Sequence, residues 1–233
     1  FLGLLFLTIF FIPSISKADI TAGLMGYWNF DDGSALDQSG NGRNGTIYGG
    51  ASATTGKIGQ ALSFDGVDDY VDVGDIDLTD AFTMSAWVNF AQLGTTTTII
   101  GKDYNTYQFL ANSSNNIRFQ RNSGNTQILY PHGFNINSWH HVVLTFDTAQ
   151  GYVLYLDNVV KDTDTDTTLI NTNNNVTKIG ATDWAIKKYL FNGLIDDVRI
   201  YNRPLTSFDV SDLFAYNGDL PPVPSITTNS VTN

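Results

Sequence analysis

Apolar and polar residues alternate through most of the central part of the chain. The alternation is clearest over residues 82–90 and 142–146, where every second position is apolar. Successive side chains of a β-strand point to opposite faces, so this period predicts half-buried antiparallel strands. One helix is predicted after Thr206, because Asp209 follows it as in a capping box and Val210, Leu213 and Phe214 then form an apolar stripe.

One predicted strand near the C-terminal end carries two adjacent aspartates among apolar, β-branched residues. Strict alternation places Asp196 and Val198 on one face. It places Ile195, Asp197 and Arg199 on the other face, where Arg199 can pair with Asp197. Asp196 then needs hydrogen bonds or a metal ion, because a buried carboxylate persists only when it is compensated.

A second group of oxygen-bearing side chains follows the first predicted strand. Asp31 and Asp32 precede a Gly-rich loop that contains Asn41 and Asn44. Carboxylate and amide oxygens are hard ligands of the kind that calcium prefers. The alternative is that Asp31 and Asp196 accept backbone hydrogen bonds in turns, as Asx residues often do.

Six segments together resemble the laminin-G-like, concanavalin A-like jelly roll family, and they occur in the family's order between residues 24 and 217. These segments are 27–45, 61–71, 82–88, 139–142, 154–158 and 191–206. The resemblance implies an all-β fold, a two-sheet antiparallel jelly roll sandwich, here with one short C-terminal helix. It also implies a module of the kind appended to secreted bacterial enzymes or adhesins.

In the family that the chain resembles, a calcium ion commonly ties the N-terminal segment to the last core strand. The resemblance therefore implies structural calcium held by Asp31, Asn41, Asn44 and Asp196. Whether Asp31 or Asp32 coordinates the ion stays open. Zinc is disfavoured, because the chain has no cysteine and its three histidines lack ligand spacing.

Composition restricts the partners and the chemistry. The formal charge of −11 argues against nucleic acid and acidic bilayers, and leaves neutral glycans or cationic partners open. All 23 acidic residues are aspartates, so the paired glutamates of laminarinase-type hydrolases on this fold cannot occur. No Gly-x-Ser-x-Gly motif is present, and we expect no catalytic residues. An Asp–Asp inverting glycosidase is the enzymatic alternative.

Both ends differ from the central segment, which is long enough for a single sandwich domain over residues 19–217. Residues 1–18 are predicted to be a signal peptide. Their apolar run is shorter than the ~20 residues that span a bilayer, which disfavours a transmembrane anchor. The sequence lacks an initiating Met, which suggests truncation at its start. Residues 218–233 have the Pro and Thr composition of a linker to a further region.

Aromatic residues in predicted loops are candidates for ligand contact. Sugars stack on aromatic rings while their hydroxyls bond to neighbouring polar groups. Trp184 is the first candidate, because residues 181–188 read as an exposed loop, and Tyr104, Tyr107 and Tyr130 are the others. The sequence thus predicts a secreted or cell-surface, non-catalytic module that binds carbohydrate or another extracellular surface. A purely structural spacer domain is the alternative.

Overall fold

A computed structural model describes residues 19–184 and 187–218, with the backbone alone for residues 183, 184 and 187. The predicted signal peptide and residues 219–233 of the predicted linker lie outside the described residues. The strands, in chain order, are β1 (Leu24–Trp28), β2 (Thr46–Tyr48), β3 (Ser52–Thr55), β4 (Gln60–Asp65), β5 (Tyr70–Asp72), β6 (Ala81–Phe90), β7 (Thr97–Gly101), β8 (Tyr107–Ala111), β9 (Asn116–Arg121), β10 (Asn125–Pro131), β11 (Trp139–Asp147), β12 (Gly151–Leu156), β13 (Val159–Asp164), β14 (Lys178–Ile179), β15 (Asp183–Trp184), β16 (Lys187–Lys188) and β17 (Asn192–Tyr201).

Within the described residues, two antiparallel sheets form a sandwich. The eight-stranded sheet has the order β13-β12-β11-β6-β17-β4-β3, and β1 also pairs with β17. The seven-stranded sheet has the order β10-β9-β8-β7-β14-β5-β2, and β15 pairs with β16 in a separate hairpin. The predicted fold class, a two-sheet antiparallel sandwich, is confirmed.

The core lies between the two sheets and is built from alternate positions of the strands. On β6, Phe82, Met84, Ala86, Val88 and Phe90 are fully buried, as their period-2 spacing predicts. Large apolar side chains of this kind contribute about 1.5–3 kcal/mol each when they are removed from water. The long central strands therefore fix which face of the eight-stranded sheet points inward.

The predicted helix is present as α1, residues Ser207–Ala215. Thr206 caps it by accepting from the Asp209 backbone N–H, while the Asp209 side chain accepts from the Thr206 backbone N–H. Val210 and Leu213 pack with residues of β11, β12 and β17 in a second apolar cluster. The helix therefore covers part of the outer face of the eight-stranded sheet. Among the described residues, no helix has the length and apolar character needed to cross a membrane.

Candidate functional site

The two aspartates of β17 lie at a β-bulge. The register between β17 and β6 shifts between Asp196 and Arg199, and Asp197 has a left-handed φ of 53°. The bulge inserts an extra residue, so Ile195 and Val198 both belong to the core. The prediction of strict alternation, which put these two side chains on opposite faces, is therefore wrong.

Asp196 ties β17 to the turn between β3 and β4. Its Oδ2 accepts hydrogen bonds from the backbone N–H groups of Lys57 and Ile58, both at 2.9 Å. Its Oδ1 is buried and has no hydrogen-bond partner among the described residues. Burial raises the pKa of Asp196 to about 8, because desolvation penalises the charged form more than the two backbone donors favour it.

Asp197 forms the predicted pair with Arg199, at 3.2 Å between Oδ2 and Nη1. Its carboxyl also hydrogen-bonds to the Tyr27 hydroxyl. The Arg199 guanidinium lies over the Tyr27 ring at 4.0 Å and the Tyr216 ring at 4.6 Å. Burial raises the pKa of Asp197, while the neighbouring guanidinium acts in the opposite direction. Oδ2 of this aspartate is thus paired inside the protein, whereas its buried Oδ1, like that of Asp196, has no hydrogen-bond partner among the described residues.

Asp31 reaches the same β3–β4 turn as Asp196. Its Oδ1 accepts from the backbone N–H of Gln60 at 2.9 Å, and its Oδ2 accepts from the Asn29 amide at 2.6 Å. Asp31 is also near enough to Asp197 to raise the pKa of that carboxyl electrostatically. Both predicted carboxylate ligands therefore accept backbone hydrogen bonds at one turn, as the alternative interpretation predicts.

The two predicted asparagine ligands lie in a separate loop. The Asn41 amide donates to the carbonyl of Leu24, the first residue of β1, at 2.8 Å. The Asn44 side-chain oxygen accepts from the Asp37 backbone N–H at 3.0 Å, within the same loop. Asp31 lies beyond the other end of β1, a strand that extends over about 13 Å. The structure therefore separates Asn41 from Asp196, which contradicts the prediction that both bind one ion, while coordination by Asn44 stays a prediction.

The second candidate site is the outer face of the seven-stranded sheet, meaning the side that points away from the core. Strand pairing aligns one row across all seven strands: Thr46, Asp72, Lys178, Gly101, Gln108, Gln120 and Thr126. The residues adjacent to this row along the strands, such as Val71, Phe109 and Phe119, are in the core. The row itself therefore faces outward.

Three side chains of the outer face form a hydrogen-bonded chain. Arg118 donates to Gln120, and Gln120 donates to Gln108. Both glutamines are buried, and Gln108 Nε2 and Arg118 Nε have no hydrogen-bond partner among the described residues. Burial lowers the pKa of Arg118, whose guanidinium interacts electrostatically with Tyr104 and Tyr189. The hydrogen-bonded chain therefore places the partly exposed Arg118 beside two buried glutamines, and leaves two buried donor atoms unsatisfied within the described residues.

An aromatic pair occupies the other end of the outer face. Tyr48 of β2 stacks on Tyr70 of β5 with ring centroids 4.8 Å apart and an interplanar angle of 13°. Tyr48 is 43% exposed. The ammonium groups of Lys178 and Lys188 lie over the Tyr70 ring at 5.1 and 5.4 Å. A stacked, accessible ring beside polar side chains is a typical surface for sugar recognition.

Comparisons with known proteins identify the family. A family model described as the concanavalin A-like lectin/glucanases superfamily matches residues 65–211, more than half of the chain. The chain belongs to this superfamily. A search of curated protein sequences gives no match.

Solved structures share the sandwich of this superfamily member. Domain 4 of AbnA, a GH43 extracellular arabinanase from Geobacillus stearothermophilus, was solved in complex with arabinotriose; it is 27% identical with a TM-score of 0.65, over 82% of this chain and 97% of that chain. The binding domain of Paraclostridial Mosquitocidal Protein 1 is 16% identical with a TM-score of 0.68, over 84% and 52%. The botulinum neurotoxin serotype D ligand binding domain in complex with N-acetylneuraminic acid is 16% identical with a TM-score of 0.63, over 84% and 52%. The chain spans about half of the two toxin domains, and these two similarities show the shared fold alone.

Two of the predicted ligand contacts face the interior of the superfamily sandwich. Tyr107 is fully buried, and its hydroxyl contacts Thr177 Oγ1 at 2.7 Å and donates to the Ile76 carbonyl at 3.1 Å. The prediction for Tyr107 is wrong, because a ring enclosed in the core cannot contact an external ligand. Tyr130 pairs with the inward-facing Ile117 and packs against the core, so the structure does not place it on the outer face.

The other two predicted contacts lie at or beside the outer face. Tyr104 is partly buried and close to Arg118. Trp184 ends β15, whose hairpin starts directly after Thr182, but its side chain lies outside the described residues. Thr182 accepts a backbone hydrogen bond from Tyr189 at 3.0 Å, which closes the base of this hairpin. The role of Trp184 therefore stays a prediction.

The outer-face residues were not singled out by sequence reasoning. Gln108 alternates with Tyr107 and Phe109 in β8, and Gln120 alternates with the buried Phe119 in β9. That alternation is a usable signal, because a polar residue between two buried aromatics faces away from the core. The alignment of the two glutamines requires the strand register, which residue types alone do not supply.

A cluster of three carboxylates occurs in the turn between β4 and β5. Ligand atoms of Asp65, Asp68 and Asp69 lie within 4.8 Å of one another. Asp65 Oδ1 accepts from the Val67 backbone N–H at 2.7 Å, and Asp69 Oδ2 accepts from the Asp65 backbone N–H at 2.9 Å. These bonds hold the turn, but Asp69 Oδ1 is buried and has no hydrogen-bond partner among the described residues.

Proposed function

We propose that this chain is a secreted or cell-surface, non-catalytic carbohydrate-binding module that holds its glycan on the outer face of the seven-stranded sheet. The partly exposed Arg118, held by the buried Gln120 and Gln108, carries this proposal, because the guanidinium N–H groups that Gln120 does not take suit sugar hydroxyls. The stacked Tyr48 and Tyr70 supply an apolar ring surface on the same face. Amide groups beside an aromatic platform are the usual elements of a sugar site.

The similarity to domain 4 of AbnA supports a carbohydrate ligand. That domain was solved with arabinotriose and is described as part of an extracellular arabinanase, and the match covers nearly all of it. By analogy, we propose that this sandwich is also one module of a larger extracellular protein. The analogy does not name the sugar, since one fold accommodates many ligands.

The chemistry of the outer face supports a binding role over hydrolysis. An inverting glycosidase needs two carboxylates about 6.5–9.5 Å apart around the scissile bond. Among the described side chains of the seven-strand row, Asp72 is the one carboxylate, and it accepts a backbone hydrogen bond from Gly74 at 2.9 Å. The absence of glutamate from the sequence excludes the paired-glutamate mechanism.

A polysaccharide pull-down combined with a glycan array tests the proposal on the whole chain. We expect binding to one sugar class, and we expect Tyr48→Ala to weaken it by about tenfold, since aromatic stacking contributes roughly 0.5–1.5 kcal/mol beyond area burial. Phe208→Ala is the matched control, because Phe208 is a 73% exposed aromatic residue on α1. Trp184→Ala tests the hairpin in the same assay. Absence of binding to every glycan would instead support a structural spacer domain.

We also propose a structural calcium ion at the β3–β4 turn, as the family resemblance implies. The buried, unsatisfied Oδ1 of Asp196 and the Asp31 carboxylate, which bonds to the same turn, suit a hard cation. Asn41, which bonds at the far end of β1, does not belong to this site. Calcium at about 100 times its Kd raises the melting temperature by about 5–10 °C. We expect chelator to lower the melting temperature of the wild type by this amount and to leave that of Asp196→Asn unchanged. Identical wild-type melting with and without chelator would contradict the site.

A further inference from the structure

Four of the basic side chains in the described residues form ion pairs with aspartates. The protein has 12 basic and 23 acidic residues, so carboxylate partners are plentiful. These four are Lys102 with Asp75 and Asp77, Arg121 with Asp166, Arg199 with Asp197, and Arg203 with Asp209.

Arg118 departs from this pattern. It forms no ion pair among the described residues, although it is only partly exposed and its Nε is buried. Its neighbours are the neutral side chains of Gln120, Tyr104 and Tyr189. Burial of a cation without a nearby anion is costly, and here it lowers the pKa of the guanidinium. An anion delivered by a ligand would offset that cost.

We propose that the glycan bound on the outer face is an acidic sugar, and that Arg118 binds its carboxylate. This inference rests on the proposed carbohydrate-binding function and specifies its ligand class. A guanidinium has five N–H donors in a planar fork that matches a carboxylate, and Gln120 takes one of them. The buried Gln120, itself bonded to Gln108, fixes the orientation of the guanidinium toward the bound carboxylate.

The dimensions of the face suit a short oligosaccharide. Arg118 lies on β9 and Lys178 on β14, three strands apart, which corresponds to about 14 Å across the sheet. Lys178 and Lys188 add positive charge near Tyr70, so the span from Arg118 to Lys178 has a cation at each end, with Asp72 beside Lys178 in the row. A uronic acid trisaccharide laid across the strands places its rings between these ends.

The net charge of −11 does not prevent this contact. At physiological ionic strength the Debye length is about 8 Å, so distant aspartates are screened while a direct guanidinium–carboxylate contact is not. The overall charge disfavours a long polyanion more than a short acidic oligosaccharide. The inference is therefore restricted to a local carboxylate contact.

The test compares two trisaccharides that differ only at C6, α-1,4-linked trigalacturonic acid and α-1,4-linked galactotriose. Calorimetric titration of the whole chain should show at least tenfold tighter binding of the acid. Arg118→Gln should lower affinity for the acid by about tenfold to a hundredfold, since hydrogen bonds to charged groups are the stronger class. Arg118→Lys keeps the charge but loses the planar fork, so its affinity for the acid should lie between those of the wild type and Arg118→Gln.

Lys161→Gln is the matched control, because it removes one positive charge from the exposed edge strand β13 of the other sheet. It should leave binding of the acid unchanged, and circular dichroism confirms that each variant is folded. Equal binding of both trisaccharides, or no binding of the acid, overturns the inference. If galactotriose or arabinotriose binds in that case, the proposed carbohydrate-binding function still holds. If neither these two sugars, nor the acid, nor any glycan of the array binds, both the proposed function and the acidic-sugar inference are contradicted.

Discussion

His141 is expected to make the stability of this superfamily member depend on pH. Its side chain is buried beneath α1, where Nε2 lies 2.9 Å from Ser85 Oγ and the ring stacks near Trp87 and Phe214, with centroids at 4.9 and 5.9 Å. Burial lowers the pKa of His141 to about 3, and the positive charges of Arg199 and Lys57 act in the same direction. The folded protein therefore keeps this imidazole neutral.

The magnitude follows from the difference between folded and unfolded pKa values. An unfolded histidine has a pKa of about 6.5, so below that pH the unfolded chain takes up a proton that the folded protein refuses. Stability is then lost as the pH falls from about 6.5, and the loss continues until about pH 3. At pH 5 the pH lies about 1.5 units below the unfolded pKa, which at ~1.36 kcal/mol per unit gives about 2 kcal/mol.

The assay is urea unfolding of the wild type and His141→Gln at pH 8 and pH 5, with the free energy of unfolding extrapolated to water. Glutamine can retain a hydrogen bond to Ser85 but has no titrating group. The difference in free energy of unfolding between the variant and the wild type should change by about 2 kcal/mol from pH 8 to pH 5, and the change should favour the variant. The comparison with the variant is necessary, because the raised pKa of Asp196 makes stability rise as the pH falls from about 8. A gap that is the same at both pH values would refute the reasoning.

Two further substitutions test the packing and the cap. Tyr107→Phe removes a buried hydroxyl that contacts Thr177 and Ile76, so we expect a loss of about 1–2 kcal/mol in urea unfolding, and an unchanged midpoint would contradict the buried placement. Thr206→Ala removes the side chain that accepts from the Asp209 N–H, so we expect the free energy of unfolding to fall by about 1 kcal/mol. A melting temperature equal to that of the wild type would show that the cap contributes nothing.

The sandwich was predictable because its strongest signals are local. The alternating apolar residues of β6 and the capping box of Thr206 and Asp209 depend on side chains that are close in sequence. The pair between Asp197 and Arg199 was also predicted from a spacing of two residues. Local chemistry was insufficient at the bulge of β17, where an inserted residue changes which side chains face inward without a distinctive residue type.

The candidate sites were less predictable because they depend on contacts between distant segments. Asp196 meets the N–H groups of Lys57 and Ile58, which are more than a hundred residues away. Asn41 was assigned to the same site from its residue type, whereas its amide bonds to the carbonyl of Leu24. Tyr107 was assigned to a loop, whereas it begins β8 with its ring in the core. Each error concerns placement in space, which strand pairing decides.

The two sheets differ in what covers their outer sides, and this difference favours one of them for ligand binding. On the eight-stranded sheet, Val210 and Leu213 of α1 pack over Val143 and Tyr155, so apolar contacts within the protein already occupy that surface. On the seven-stranded sheet, the outward row is polar and contains donors that the described residues leave unsatisfied. Arg118 on this face is partly exposed and forms no ion pair among the described residues, so a ligand that accepts from its guanidinium offsets the cost of its partial burial. A glycan is therefore expected on the seven-stranded sheet.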